Sequence, residues 1–436
     1  MAIAIVYQSC DSTLNFEKPQ SFFKYIGNDH DQSGIDLTTD ADGNIYVLGS
    51  SGSTSDGQQI YVVRTDANGA LQWEMTFGDP GDEIPKDIEL MRNGNLVIVA
   101  DRVDATTGEQ DFVIYILSKE DGSLLASRVD GSPNYKDFVS TITETIDFET
   151  QTASGFITAA YRDSLGFKVG SVDRYDNSLA KFPEFLWHSP MDQLITLAVG
   201  DNVPKGYDVV PVKVIQFADD RFYTFGYTNS VVDGRDLIAD HNFFCTVGNA
   251  LNDNLTLFLP AGPDPNSNER LTEVKPVPPQ YGSGFVLTGY TSDPGGSQQN
   301  LYVVRLMQDL TGAKLSDPSS YLQGDPKTVT SGLSSVSSTS ASVYPSTKSG
   351  FLILGEENTE GNSNIFLTKV NNSFEVAWSE PHTTQVFGGI GNDSAGAVIE
   401  TNDGYILICG TMILGEVNGQ SKIVLMKLNP EGMFSE

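Results

Sequence analysis

Apolar residues in this chain gather in short runs rich in Val, Ile, Phe and Tyr, bounded by Gly, Asp and Asn. Helix periodicity is nearly absent, so the runs read as strands. A phrase recurs: "GNIYVLG" at Gly43–Gly49, "QIYVVRTD" at Gln59–Asp66, then "ALQWEMTFG" at Ala70–Gly78. It returns at Gly284–Leu306, Gly350–Val370 and Gly404–Leu428 as "GFVLTGY…NLYVVRL", "GFLILGE…NIFLTKV" and "GYILICG…KIVLMKL". A period of roughly 50–70 residues suits a four-stranded antiparallel blade plus its loops. Seven inner strands are expected, at Gly34–Thr39, Ile84–Met91, Phe138–Phe148, Asp208–Phe217, Leu271–Val277, Ser334–Tyr344 and Ala395–Thr401. The expected fold class is all-β, a seven-bladed β-propeller over residues 21–436 preceded by a tail at 1–20.

The seventh unit offers three strands and then ends at "NPEGMFSE". The segment Ser21–Asp31, "SFFKYIGNDHD", looks like the outer-strand ending "MTFGDPGDE" at Met75–Glu83. Phe22–Ile26 is therefore expected to complete the last blade, which removes open strand edges. Outer strands are also expected at Leu179–Trp187, Ala313–Leu322 and Phe374–Phe387. Trp73, Trp187 and Trp378 fall in outer strands, where a large ring can cover a seam between blades.

Antiparallel alternation sorts the loops onto two faces. Short Gly- and Asn-bearing turns such as "DADGN" at Asp40–Asn44 and "KEDG" at Lys119–Gly122 occupy one face. The other carries long irregular loops such as "NSVVDGRDLIAD" at Asn229–Asp240, where binding is expected. An acidic phrase recurs there before the inner strands: Asp29 and Asp31; Asp79, Asp82 and Glu83; Asp264 and Glu269; Asp393. If these carboxylates ring the channel mouth, they suit a cation such as calcium or a basic segment. If each fixes its own loop by accepting backbone N–H groups, they suit neither.

Composition narrows the classes. With 26 Lys and Arg against 57 Asp and Glu, the formal charge is −31 and no basic cluster stands out. Nucleic acid is not expected as a partner, because phosphates need clustered cations. Three cysteines make no disulfide framework, and Cys245 and Cys409 sit in apolar strand contexts that suit buried thiols. Cys10 follows "MAIAIVYQS" and precedes a polar stretch, which resembles the end of a bacterial lipoprotein signal such as Bacteroidota envelope lipoproteins carry. It departs from that pattern in lacking a basic n-region and in placing Tyr7 where Leu is usual. Lipidation of Cys10 is one reading and an uninformative tail the other; no run reaches the roughly 18 apolar residues of a membrane helix.

No G-x-S-x-G elbow, H-E-x-x-H or Walker loop is present, and His30, His188, His241 and His382 lack ligand spacing. The repeats resemble a bacterial cell-surface propeller family whose consensus runs Phe-Gly-Gly, an acidic pair, D-G-Y-I, G-x-T, Y-L-V-K-L-D and a Trp. "VFGGIGNDSAGAVIETNDGYILICGT" at Val386–Thr411 and "IYVVRTDANGALQWEMTFG" at Ile60–Gly78 carry the likeness. It implies a secreted or surface β-propeller and no particular activity. Two functions are weighed: a non-enzymatic module binding an envelope or outer-membrane protein, tethered through a lipid anchor, and a carbohydrate-binding or carbohydrate-processing propeller acting through its long-loop face.

Overall fold

The computed structural model describes residues 21–53, 57–164, 167–182, 208–219, 221–229, 242–249, 255–258, 268–292, 299–308, 310, 322–323, 327–329, 337–359, 361–378, 384–415 and 419–434. They form a seven-bladed β-propeller of antiparallel sheets. From the axis outward, blade 1 is β2 (Gln32–Thr39), β3 (Ile45–Ser53), β4 (Gly57–Thr65) and β5 (Leu71–Phe77). Blade 2 is β6 (Gly81–Leu90), β7 (Leu96–Asp104), β8 (Gln110–Leu117) and β9 (Leu124–Asp130). Blade 3 shows β10 (Lys136–Ile146), β11 (Ala153–Ser164) and β12 (Phe167–Tyr175). Blade 4 is β13 (Val209–Ala218), β14 (Arg221–Thr228), β15 (Asn242–Asn249) and β16 (Leu255–Phe258). Blade 5 is β17 (Asn268–Pro276), β18 (Phe285–Ser292), β19 (Gln299–Leu306) and β20 (Lys327–Val329). Blade 6 is β21 (Ser337–Pro345), β22 (Phe351–Thr359), β23 (Asn362–Val370) and β24 (Thr384–Phe387). Blade 7 is β25 (Ser394–Glu400), β26 (Ile406–Leu414), β27 (Gln420–Leu428) and, from the other end of the chain, β1 (Phe22–Ile26).

Two outer strands differ from expectation. In blade 5 the described pairing strand is Lys327–Val329; of the expected Ala313–Leu322 only Leu322 lies among the described residues, bridged to Leu306. In blade 6 the ladder among the described residues is Thr384–Phe387, with Val376 bridged to Val370, so Trp378 precedes that strand. Trp187 lies outside the described residues.

Each inner strand packs against the inner strands of its neighbours, and β25 packs on β2, closing the circle. The core is distributed among the seams between blades rather than gathered at one centre. In the seam between blades 1 and 2, for instance, Leu48 and Val62 meet Ile98 and Tyr115. Closure reuses a device seen in other seams. Trp73 lies over Gly122 of the next blade, Trp378 over Gly432, and Phe22 of β1 over Gly69. These three turn glycines hold φ of 71°, 77° and 71°, where a side chain would be strained and would strike the ring. Phe22 thus does for blades 7 and 1 what the tryptophans do elsewhere.

Every inner strand carries a β-bulge near its start, seen as a register shift between Gly34 and Asp36 in β2 and at the matching place in β6, β10, β13, β17, β21 and β25. The residue paired on the second strand is always small: Gly49, Ala100, Ala160, Gly226, Gly289, Gly355 and Gly410. The reason is a close backbone approach, since a Cβ at Gly289 would stand 1.9 Å from the Arg270 carbonyl oxygen. This explains the glycine that ends "YVLG", "LTG", "LILG" and "LICG". Among the described residues no helix is long and apolar enough to cross a membrane, and Cys245 and Cys409 are free and buried.

Candidate functional site

The recurring carboxylates of the long-loop face lie in separate seams. Glu83 is buried, with Oε1 accepting the Asp79 N–H (2.8 Å) and Oε2 accepting Gln59 Nε2 (3.0 Å). Burial pushes its pKa up to about 7. Asp82 accepts the Gln58 N–H at 2.8 Å, and Asp79 pairs with Arg102 at 3.3 Å. Asp31 accepts the Ser421 N–H at 3.0 Å, and the Asp29 carbonyl accepts Gln420 Nε2. Asp393, 1% exposed, accepts the N–H groups of Gly389 (2.9 Å) and Ile413 (3.0 Å). Glu269 is buried and accepts Thr291 Oγ1 at 3.2 Å. Asp264 and Cys10 lie outside the described residues. Asp79 stands in the loop before β6 and Asp82 and Glu83 at the start of that strand; Asp29 and Asp31 share another loop. Among the described residues no three His, Cys, Asp or Glu side chains converge as a metal group.

A different polar set does converge, on the axis itself. Residues of all seven bulges surround a cavity of 130 Å³. Asp36, Asp87, Thr141, Lys213, Glu273 and Ser342 line it, one from each of six successive inner strands. A bulge frees a backbone N–H, and here the side chain of the preceding blade takes it up. Asp36 Oδ2 accepts the Ile88 N–H (3.2 Å), Asp87 Oδ2 accepts the Ile142 N–H (3.1 Å), and Ser342 Oγ accepts the Val398 N–H (3.3 Å). The girdle therefore ties blade to blade around the channel.

Its charges are matched across the ring. Lys213 Nζ donates to Thr141 Oγ1 at 2.8 Å and pairs with Asp87 at 3.4 Å; Thr141 Oγ1 also donates to Asp87. Lys275 pairs with Glu273 at 3.4 Å, and Lys86 with Asp101 at 3.0 Å. Burial, and then the neighbouring Asp87 with which it shares a hydrogen bond, push the Asp36 carboxyl well above the usual range. For Asp87 burial also opposes charge, but Lys213, Thr141 and Asp36 outweigh it and hold the group ionised. Burial disfavours the charged Lys213 as well, yet Asp87, Glu273 and Glu89 keep it protonated. Of the hydrogen-bonded pair Asp36–Asp87, Asp36 is thus the more readily protonated, beside the ammonium groups of Lys213 and Lys275.

Two residues further along β6, Glu89 accepts the Glu144 N–H at 2.9 Å. Burial is the main cause that lifts its pKa from 4.5 to about 7. Because the folded value is the higher one, the stability this group contributes is complete below about pH 4.5 and is lost as pH rises through 7. Glu89→Gln should remove that loss. Its advantage over the parent in urea unfolding should grow by on the order of 3 kcal/mol between pH 4.5 and 8. Parallel pH profiles for the two proteins would contradict the assignment.

The girdle is not visible as a motif, because its residues stand in unlike sequence contexts: "GIDL", "PKDIE", "VSTIT", "PVKVI" and "LTEVK". The available signal is a charged or hydroxylated residue followed by an apolar one, Leu37, Ile88, Ile142, Val214, Val274 or Val343, on six of the inner strands; on the seventh Ala397 precedes Val398.

The family described as a domain of unknown function (DUF5122) beta-propeller matches residues 41–71, within blade 1. No protein of curated function matches the chain. Among solved structures, the α-L-arabinofuranosidase Arb93A from Fusarium graminearum, in complex with an iminosugar inhibitor, is 12% identical with a TM-score of 0.47, over 82% of this chain and 96% of that one. The β-propeller domain of the Trilobed protease from Pyrococcus furiosus is 7% identical with a TM-score of 0.44, over 93% and 98%. The endo-arabinase from Bacteroides thetaiotaomicron is 11% identical with a TM-score of 0.36, over 63% and 93%. Likeness at this level concerns the propeller fold alone.

Proposed function

We propose that the chain is a carbohydrate-binding propeller that holds part of a saccharide at the long-loop end of its axis without cleaving it. The observation that carries this reading is the charge-matched axial cavity, in which Asp36, Asp87, Glu273, Lys213 and Thr272 offer donors and acceptors on fixed backbone. Its 130 Å³ is the space of about four waters, enough for the hydroxyl-bearing end of a sugar and too little for a whole ring. Binding is favoured over hydrolysis because the carboxyls of glycosidases stand roughly 5–10 Å apart. Asp36 and Asp87 are instead in direct hydrogen-bond contact. Attachment to the cell envelope through Cys10 fits the same geometry. β1 pairs antiparallel with β27, so it enters from the short-turn face, and a tether before it leaves the channel mouth facing outward.

A glycan array probed with the full chain and with Thr272→Val tests the reading. The parent should retain a defined set of glycans that the variant loses. Retention of no glycan, together with a stable protein co-purifying from an envelope extract, would favour the protein-binding module instead.

A further inference from the structure

One seam breaks the rule that the other blades keep. On the third strand, the residue paired with the small bulge-facing residue is Tyr61, Val113, Ser171, Phe244, Tyr302, Phe366 or Val424 in blades 1 to 7. Ser171 alone lacks an apolar body. Two residues on stand Val63, Tyr115, Asp173, Thr246, Val304, Thr368 and Met426, and Asp173 alone is charged. The outer-strand residue that faces such a seam from the preceding blade, paired with Ile60, Leu301, Ile365 or Ile423, is Phe77 in blade 1, Val329 in blade 5, Phe387 in blade 6 and Ile26 in blade 7, but in blade 2 it is Asp130, paired with Phe112. In the seam between blades 1 and 2, Phe77 fills the space against Tyr115, with ring centroids 5.1 Å apart. Between blades 2 and 3 the corresponding groups are Asp130, Ser171 and Asp173, and a pocket of 260 Å³ opens there.

Each charge lining this pocket has a partner. Lys181 pairs with Asp130 (3.2 Å) and Asp173 (3.0 Å), and Arg162 pairs with Asp137 at 3.2 Å. Arg162 also lies over the Tyr135 ring, 5.4 Å from its centroid, and Tyr175 donates its hydroxyl to Asp130 at 2.6 Å. Ser171 is different: it is 8% exposed, lines the pocket, and its hydroxyl meets no partner among the described residues. A buried ion network contributes little to stability compared with the apolar filling used in the other seams. The hydroxyl opens on the pocket, where a ligand can take it up in place of water.

We infer that the seam between blades 2 and 3 is a second binding site, for a neutral polyhydroxylated ligand of monosaccharide size. The charge arithmetic selects the class: the three carboxylates Asp130, Asp137 and Asp173 are matched by Arg162, Lys181 and, at 3.6 Å from Asp130, Arg128. A net-charged ligand would leave one charge unmatched, and a zwitterion would have to separate ion pairs that already exist. A sugar donates to the carboxylates, accepts from Lys181 and Arg162, and satisfies Ser171 without breaking any pair. The volume, about nine waters, holds one sugar ring with its hydroxyls. This site lies between two blades and shares no lining residue with the axial cavity, so it stands independently of the axial reading.

Saturation-transfer NMR on the full chain with D-glucose, D-galactose, D-mannose and L-arabinose tests it, with glycine and sodium acetate as charged probes. At least one sugar should bind, and Ser171→Val should weaken it about tenfold, the worth of one hydrogen bond. Val113 fills the equivalent place in blade 2, so Ser171→Val should melt no lower than the parent; Asp173→Asn provides a second variant with unchanged shape. Absence of sugar binding by the parent overturns the site, as does binding of glycine or acetate in its place. Sugar binding that survives Ser171→Val and is lost with Thr272→Val would put the ligand on the axis and equally overturn it.

Discussion

Asp87→Ala should destabilise the protein by about 3–5 kcal/mol, the cost of leaving a buried charge without its partner. Asp87 serves three groups at once: the Lys213 ammonium, the Thr141 hydroxyl and the Ile142 N–H freed by the bulge of the next blade. Removing the carboxylate takes from Lys213, whose side chain is 18% exposed, its ion-pair partner at 3.4 Å and leaves only the more distant Glu273 and Glu89. The double variant Asp87→Ala with Lys213→Met removes both charges and should recover much of the loss. Urea unfolding of the parent, both single variants and the double variant gives the coupling directly. Additive single effects, or a cost for Asp87→Ala within about 0.5 kcal/mol of zero as at an ordinary surface site, would mean that the girdle does not hold the blades.

Removal of residues 1–27 has the second large expected effect, because it takes β1 from blade 7. The loss includes the whole ladder between Phe22–Ile26 and Ile423–Lys427. Phe22 and Ile26, both half-buried, leave the cluster that contains Tyr61, Val63 and Leu425, each at a cost of about half the 1.5–3 kcal/mol of a fully buried side chain. Lys24 no longer reaches the Gly69 carbonyl (2.6 Å), nor does Lys422 reach the His30 carbonyl (2.9 Å) with its chain held in place. The edge of β27 becomes free to pair with other chains. The truncated protein should melt many degrees lower and elute as aggregate in size-exclusion chromatography with light scattering. A monomer with the parent's melting curve would show that closure carries no load.

The architecture was legible because strand runs, turn residues and period all point the same way. The strand Phe22–Ile26 was readable from its likeness to Met75–Glu83, and the ring over Gly69 shows why an aromatic stands there. Weak outer strands were harder: Lys327–Val329 is only three residues long and has no alternation to find. The girdle was hidden for a physical reason. A bulge shifts the alternation by one residue, so a period-two reading assigns the channel-facing side chains to the wrong side. The glycine opposite the bulge was plain in the repeat, but its meaning, a carbonyl within 1.9 Å of a Cβ at Gly289, needs coordinates. The long-loop carboxylates were visible as a phrase. What they face, whether the axis or the N–H groups of their own loops, depends on loop paths that composition does not specify. The polar seam could have been found by aligning third strands, where Ser171 and Asp173 interrupt an apolar column.

Every placement above depends on the ring being closed by the two ends of the chain. With Cys10 replaced by serine, cysteines introduced as Lys24→Cys and Leu425→Cys test this directly, since these residues are paired across β1 and β27. Antiparallel partners stand about 4.5–5.5 Å apart at Cα, within reach of a disulfide. Mild oxidation should join residues 24 and 425 nearly completely, seen as one disulfide-linked peptide pair in mass spectrometry of the monomer. Cysteines that stay free, or that link only between chains, would contradict the closed ring.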